Sequence, residues 1–228
     1  MFKVLFISMA VCGIVLAGSG KSLSADVDVF AEGAYTATEA VVEIYANITP
    51  AILSYGIKLT YDTGQLMVTS AAKNESVWFL GDGAAGNKAY MNPNTGTPGE
   101  VIIIGGKLNT ANPTAGVTGQ KVLLGKVSFS RTGSSKPVVN LTYAKDPGTG
   151  YANFVATNGT VLDNNSVNFA VSVVERGDAN RNGVIDTGDM LAARTYLRNG
   201  TYSSTADCNN NGAIDTGDLL CIKNKIGG

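Results

Sequence analysis

The sequence predicts a mainly β protein in which a β-sandwich is followed by a small α-helical segment. Two observations support this prediction. Runs of β-branched and aromatic residues, separated by turns rich in Gly, Pro and Asn, recur from residue 26 to residue 174 of the 228-residue chain. Segments with helical periodicity follow only after residue 189.

The composition excludes several classes of function. The formal net charge is only -1, which disfavours a nucleic-acid partner because such proteins carry a basic patch. The chain has no histidine, so Ser-His-Asp triads, Cys-His dyads and His-ligated zinc are ruled out. The acids of the β segment are scattered, without spacing that marks a glycosidase pair. We therefore expect a protein that is not an enzyme.

Residues 1–25 have the pattern of a secretory signal peptide. Lys3 supplies the positive charge, and residues 4–17 form an apolar run that is too short to span a bilayer comfortably. Small residues follow, and Ala25 is the expected last residue before cleavage. A lipoprotein that begins at Cys12 fits less well because the apolar run continues past it. We expect a secreted protein, extracellular or at the cell surface.

The segment from residue 26 to residue 174 contains about nine strand-like runs and no sustained helical period. Turn sequences such as Asp62-Thr63-Gly64 and Asn158-Gly159 separate them. This number of short strands is typical of two packed sheets. The predicted strands are 40–48, 53–61, 65–70, 77–80, 101–104, 122–130, 138–143, 153–156 and 168–174.

Two aromatic residues of this segment have two interpretations. Trp78 and Tyr90 flank a Gly-rich stretch, and exposed rings there would stack on sugars. Such residues more often fill a β core.

An internal repeat near the end of the chain has the spacing of a calcium loop. Residues 178–189 and 207–218 both read D-x-N-x-N-G-x-I-D-T-G-D, at an offset of 29 residues. In such a loop, side-chain oxygens converge from positions 1, 3 and 5, Gly at position 6 allows the sharp turn, and positions 7, 9 and 12 complete the shell. The repeat predicts two Ca²⁺ ions. The predicted ligands are Asp178, Asn180, Asn182, Val184, Asp186 and Asp189 in the first loop, and Asp207, Asn209, Asn211, Ala213, Asp215 and Asp218 in the second.

A helix is predicted after each loop, at residues 190–198 and 219–226, and none before it. This order differs from the helix–loop–helix of a calmodulin-like sensor. Cys208 and Cys221 remain after signal removal, in an oxidising compartment. A disulfide between them, two free thiols and a bond to another chain are all compatible with the sequence.

This duplicated loop–helix unit resembles the dockerin module, over residues 177–228. The resemblance implies that the module folds around calcium and docks onto a cohesin domain through helix faces and loop ends. The positions that match the family's recognition pair are Thr187, Gly188, Thr216 and Gly217, with apolar Met190 and Leu219 shortly after them. The Gly in each pair departs from the hydroxyl residue common in dockerins.

The preceding β segment is similar to cohesins in three stretches: residues 55–68, 124–129 and 158–174. The resemblance implies a cohesin-like jelly-roll β-sandwich over residues 26–174, followed by a dockerin over residues 175–228. We therefore expect a secreted, non-catalytic assembly protein whose partners are cohesin or dockerin domains on the same or other secreted proteins.

Such a protein would self-assemble head to tail as a homopolymer, or act as an adaptor in a cellulosome-like complex. The alternative is a carbohydrate-binding module that its dockerin attaches to a polysaccharide-degrading complex. Polysaccharide is then a partner, and the sugar would stack on Trp78 and Tyr90.

Overall fold

Eleven strands precede two helices in the computed structural model, which describes residues 26–81, 91–144, 153–162 and 166–226. The fold class predicted from the sequence, mainly β with a small helical segment at the C-terminal end, is therefore confirmed. The expected signal peptide and Tyr90 lie outside the described residues. No helix in the described part is long and apolar enough to cross a membrane.

The strands are numbered in chain order. They are β1 Val27–Tyr35, β2 Glu39–Tyr61, β3 Leu66–Lys73, β4 Leu80–Gly81, β5 Glu100–Gly106, β6 Leu108–Asn109, β7 Val117–Arg131, β8 Val139–Tyr143, β9 Phe154–Ala156, β10 Val161–Leu162 and β11 Val167–Glu175. The helices are α1 Thr187–Asn199 and α2 Thr216–Ile226.

Strand β2 belongs to both layers of the sandwich. Its first half pairs antiparallel with β1 and with β7, and its second half pairs with β5 on one side and with β8 and β9 on the other. Strand β11 adds to the first layer parallel to β1, and β3 adds antiparallel to β7. The β2–β7 register shifts between Ile44 and Ile52, around Pro50. Bulges bend a strand and accommodate proline, so β2 changes layers at this point.

The core lies between the layers and follows the alternation of the strands. In the first half of β2, every second residue from Ala40 to Ile48 is buried. The Tyr55 and Trp78 rings meet edge to face, 4.7 Å apart between centroids. Trp78 is 0% exposed, and its indole Nε1 donates to the carbonyl of Leu123. Trp78 therefore fills the core, and the sugar-stacking interpretation of this residue is wrong.

The element boundaries differ from the sequence prediction in several places. The predicted strands 40–48 and 53–61 are one strand, β2, and β1, β6 and β10 were not predicted. Most of the predicted strand 77–80 is a turn, because the amides of Val77 and Trp78 donate back to the carbonyl of Asn74. Each helix begins three residues earlier than predicted.

The helical module has a small core of its own. Its buried apolar residues are Ala179, Ala193, Ala206, Cys208 and Ile222. Cys208 and Cys221 form a disulfide, with 5.8 Å between their Cα atoms, which ties the second loop to α2. A core this small contributes little burial energy, so cross-links and bound ions become important for its stability.

We expect Tyr55→Phe to lower the free energy of unfolding of the sandwich by about 1 kcal/mol. The Tyr55 hydroxyl donates to the carbonyl of Leu124 at 2.6 Å in the buried core. Urea unfolding followed by fluorescence of Trp78, the one tryptophan of the chain, measures this loss. The matched control is Tyr45→Phe, because the Tyr45 hydroxyl bonds to Glu43 at a partly exposed site. Equal losses in both variants would contradict this account.

Candidate calcium-binding loops

The first loop closes around the carboxylates of its first and twelfth residues. Asp178 accepts hydrogen bonds from the amides of Asn182 and Gly183, at 3.0 and 2.8 Å. Asp189 accepts from the amides of Asn180 and Asp186, also at 3.0 and 2.8 Å. The two aspartates therefore draw main-chain amides inward from both halves of the loop.

The second loop repeats this arrangement. Asp207 accepts from the amides of Asn211 and Gly212, both at 3.0 Å. Asp218 accepts from the amides of Asn209 and Asp215, at 3.1 and 2.8 Å. The sequence repeat thus extends to the pattern of hydrogen bonds.

Two positions of each loop require a left-handed backbone. Gly183 and Gly212, at position 6, have φ values of 91° and 84°. Glycine adopts this conformation without a steric penalty, which explains its place at the sharp turn. Arg181 and Asn210, at position 4, also have positive φ, at 61° and 59°.

The ninth position of the first loop also starts the helix that follows. Asp186 is the N-cap of α1, and its carboxylate accepts from the amide of Gly188 at 2.7 Å. The Asp189 carboxylate in turn accepts from the Asp186 amide, which completes a capping box. The end of the loop and the start of the helix are therefore one structural unit. In the second loop, Asp215 likewise accepts from Gly217.

The carboxylates at positions 1 and 12 are buried in both loops. Asp178, Asp189 and Asp218 form no ion pair within the described residues. Burial raises the pKa of Asp178, because a desolvated carboxylate without a nearby cation is disfavoured. A divalent cation would supply the missing positive charge, and an all-oxygen ligand set suits Ca²⁺.

The predicted ligands fit such an ion only if Asn side chains and main-chain carbonyls join the carboxylates. In the described part of the chain, no three Asp, Glu, Cys or His side chains gather closely enough to form a metal site by themselves. The Asn side chains at positions 3 and 5 and the carbonyls of Val184 and Ala213 would have to complete each shell.

The residues expected to contact a partner occupy different environments. Thr187 and Thr216 are exposed at the helix starts, and the glycines after them are partly buried. Met190 and Leu219 pack against the core of the module.

The exposed apolar residues are the next ones along each helix. Leu191 is 67% exposed and Leu220 is 58% exposed, and the 29-residue repeat relates the two. Neither leucine was among the contact residues predicted from the sequence. The available signal was their spacing of four residues from Thr187 and Thr216, which places residues on one helix face.

Comparison with known proteins supports the dockerin prediction. The dockerin type I domain family matches residues 176–227. The sequence finds no match among curated proteins.

Several solved structures that resemble the chain are cohesin modules. One is a type I cohesin–dockerin complex from Clostridium thermocellum, at 14% identity and a TM-score of 0.46, covering 67% of this chain and 97% of that one. Another is a non-cellulosomal cohesin from Archaeoglobus fulgidus, at 14% identity and 0.44, covering 68% and 96%. A third is the cohesin module of a Clostridium perfringens family 33 glycoside hydrolase, at 14% identity and 0.44, covering 64% and 99%.

We expect the double variant Cys208→Ser/Cys221→Ser to destabilise the helical module by roughly 3 kcal/mol, the chain-entropy value for a loop of this length. The two helices of the described part lie in this module, so far-ultraviolet circular dichroism during heating follows its unfolding. Reduction of the wild-type protein should have the same effect. A melting curve that neither treatment changes would show that the disulfide does not stabilise the module.

Proposed function

We propose that this protein is a secreted, non-catalytic assembly protein whose C-terminal module, residues 175–228, binds two Ca²⁺ ions and docks onto a cohesin domain. The observation that carries the proposal is the pair of oxygen-lined loops inside a segment that matches the dockerin type I domain, in which three of the four buried aspartates at positions 1 and 12 form no ion pair within the described residues. Calcium would neutralise these aspartates and stabilise a module with a small apolar core.

The proposed docking surface consists of two equivalent patches, which we call the helix-start patches. Each combines an exposed threonine, an exposed leucine and an exposed basic residue on one helix. They are Thr187, Leu191 and Arg194 on α1, and Thr216, Leu220 and Lys223 on α2. Because the repeat relates the two patches, a partner that fits one also fits the other after the module turns by about half a turn.

The sandwich over residues 26–174 is the proposed receptor half of the chain. If it accepts the dockerin of another copy, the contact is head to tail and produces filaments or rings. If it does not, the chain is an adaptor between two other secreted proteins. The polysaccharide-binding alternative has less support, because Trp78 lies inside the core.

Calcium removal should unfold the module and leave the sandwich intact. We expect a chelator to abolish most of the helical circular dichroism, because the buried aspartates then repel one another. The double variant Asp189→Asn/Asp218→Asn should lose the calcium response, and Glu75→Gln, at an exposed site, is the matched control. Helix content that persists in chelator would contradict the proposal.

The two helix-start patches should substitute for each other. In millimolar calcium, we expect sedimentation velocity of the full chain to show concentration-dependent association that chelator abolishes. Leu191→Asp or Leu220→Asp alone should weaken association only about two-fold, because one of two docking poses remains, whereas the double variant should lose it.

Association that survives in the double variant would place the contact elsewhere. A chain that stays monomeric in calcium supports the adaptor form, in which the same variants are tested against a cohesin domain from another protein.

A further inference from the structure

The two loops have nearly the same sequence but different surroundings. Arg176 lies two residues before the first loop, and Thr205 lies two residues before the second. Arg176 is 2% exposed, and its guanidinium does not contact the first loop's carboxylates. Its Nη1 instead lies 3.6 Å from Oδ2 of Asp207, the first ligand position of the second loop. The same nitrogen donates to the carbonyls of Ser204 and Asp207, at 3.1 and 2.8 Å.

A second group reaches the same carboxylate. The Tyr202 hydroxyl donates to Oδ2 of Asp207 at 2.9 Å. The repeat places Val173 at the position that corresponds to Tyr202, so the first loop has no such donor. Asp178 is bonded to main-chain amides and forms no ion pair within the described residues. The first loop therefore lacks both of the groups that compensate Asp207.

We propose that Arg176 is a built-in counter-cation of the second loop, so that the module has two unequal calcium sites and the first loop fills first. This inference rests on the proposed calcium binding. Arg176 and Asp207 are both buried, and charges interact strongly where water is excluded. The guanidinium repels an incoming dication. It also already compensates Asp207, so the ion gains less there than at Asp178.

The surroundings of Arg176 hold it in this position. Its amide donates to the carbonyl of Tyr35 in the sandwich, and its Nη2 lies 3.9 Å from Oε1 of Glu39. Glu39 in turn accepts from the side-chain amide of Asn210 in the second loop. The guanidinium is therefore enclosed between the sandwich and the second loop.

The first loop also has an arginine nearby, but that arginine is paired elsewhere. Arg181 points to the sandwich, where its Nη2 lies 3.4 Å from Oε2 of Glu32 and its Nη1 donates to the carbonyl of Ser172. It forms no ion pair with a loop carboxylate in the described residues. Its ion pair is with Glu32 of the sandwich, which also pairs with Lys121, so it does not serve as the counter-cation of a first-loop carboxylate.

The test uses the ¹⁵N-labelled full chain and follows one amide in each loop during a calcium titration. The Gly183 amide bonds to Asp178 and the Gly212 amide bonds to Asp207, so each reports on its own loop. We expect the Gly183 signal to complete its change first, with a midpoint about ten-fold lower in calcium. Coincident midpoints would overturn this inference, whereas no response from either glycine would overturn the proposed calcium binding itself.

Arg176→Met removes the charge and keeps much of the side-chain volume. We expect it to bring the Gly212 midpoint to within about three-fold of the Gly183 midpoint. Arg181→Met, which removes the same charge in the same module, should leave the Gly212 midpoint unchanged. Weaker calcium binding at the second loop of Arg176→Met would show that Arg176 organises this loop for the ion, which is the opposite of the proposal.

Glu39→Gln provides the second variant in case Arg176→Met does not fold. Arg176 lies near both Glu39 and Asp207, and this substitution removes the negative charge of Glu39. The positive charge of the guanidinium is then less compensated and repels an ion at the second loop more strongly. We expect the Gly212 midpoint to rise by about two- to three-fold and the Gly183 midpoint to stay the same. A Gly212 midpoint that falls or does not move would count against Arg176 as the cause of the difference.

Discussion

The structure of the C-terminal module depends on buried aspartates that collect main-chain amides. In each loop, the carboxylates of the first and twelfth residues accept four amide hydrogen bonds between them, which sets the path of the loop before any ion is considered. The same interactions create the need for a cation, because three of these four acids have no charged partner in the described residues. Loop geometry and the proposed calcium dependence would therefore have one physical cause.

The features that the sequence predicted best are those set by local chemistry. The loop pattern places glycine at position 6 of each dozen residues, and the backbone is left-handed there in both copies. The continuity of β2 was missed because Pro50 resembles a strand break, and only the bulged pairing with β7 shows how the strand passes it. The burial of Trp78 depends on packing against Tyr55, which periodicity does not encode.

The different surroundings of the two loops also depend on contacts between residues that are distant in sequence. Nothing in the repeat suggests that Arg176, which precedes the first loop, lies against the second. The same limit applies to the apolar residues after each loop, where the sequence singled out Met190 and Leu219 and the structure exposes Leu191 and Leu220. Neighbouring apolar residues on a short helix look alike in sequence, and only the packing of α1 against α2 decides which of them is exposed.

The module contacts its own sandwich through its loops and keeps the helix-start patches exposed. Arg181 and Asn210, at the fourth position of each loop, reach Glu32 and Glu39, and Lys225 bonds to Glu175 at 2.7 Å. Each exposed contact contributes little alone, and buried Arg176 adds contacts with Tyr35 and Glu39, so several interactions join the module to the sandwich. Docking through the patches, as proposed, would leave these contacts between the module and the sandwich undisturbed. A chain of such subunits would repeat one fixed angle, and that angle decides between a closed ring and an open filament.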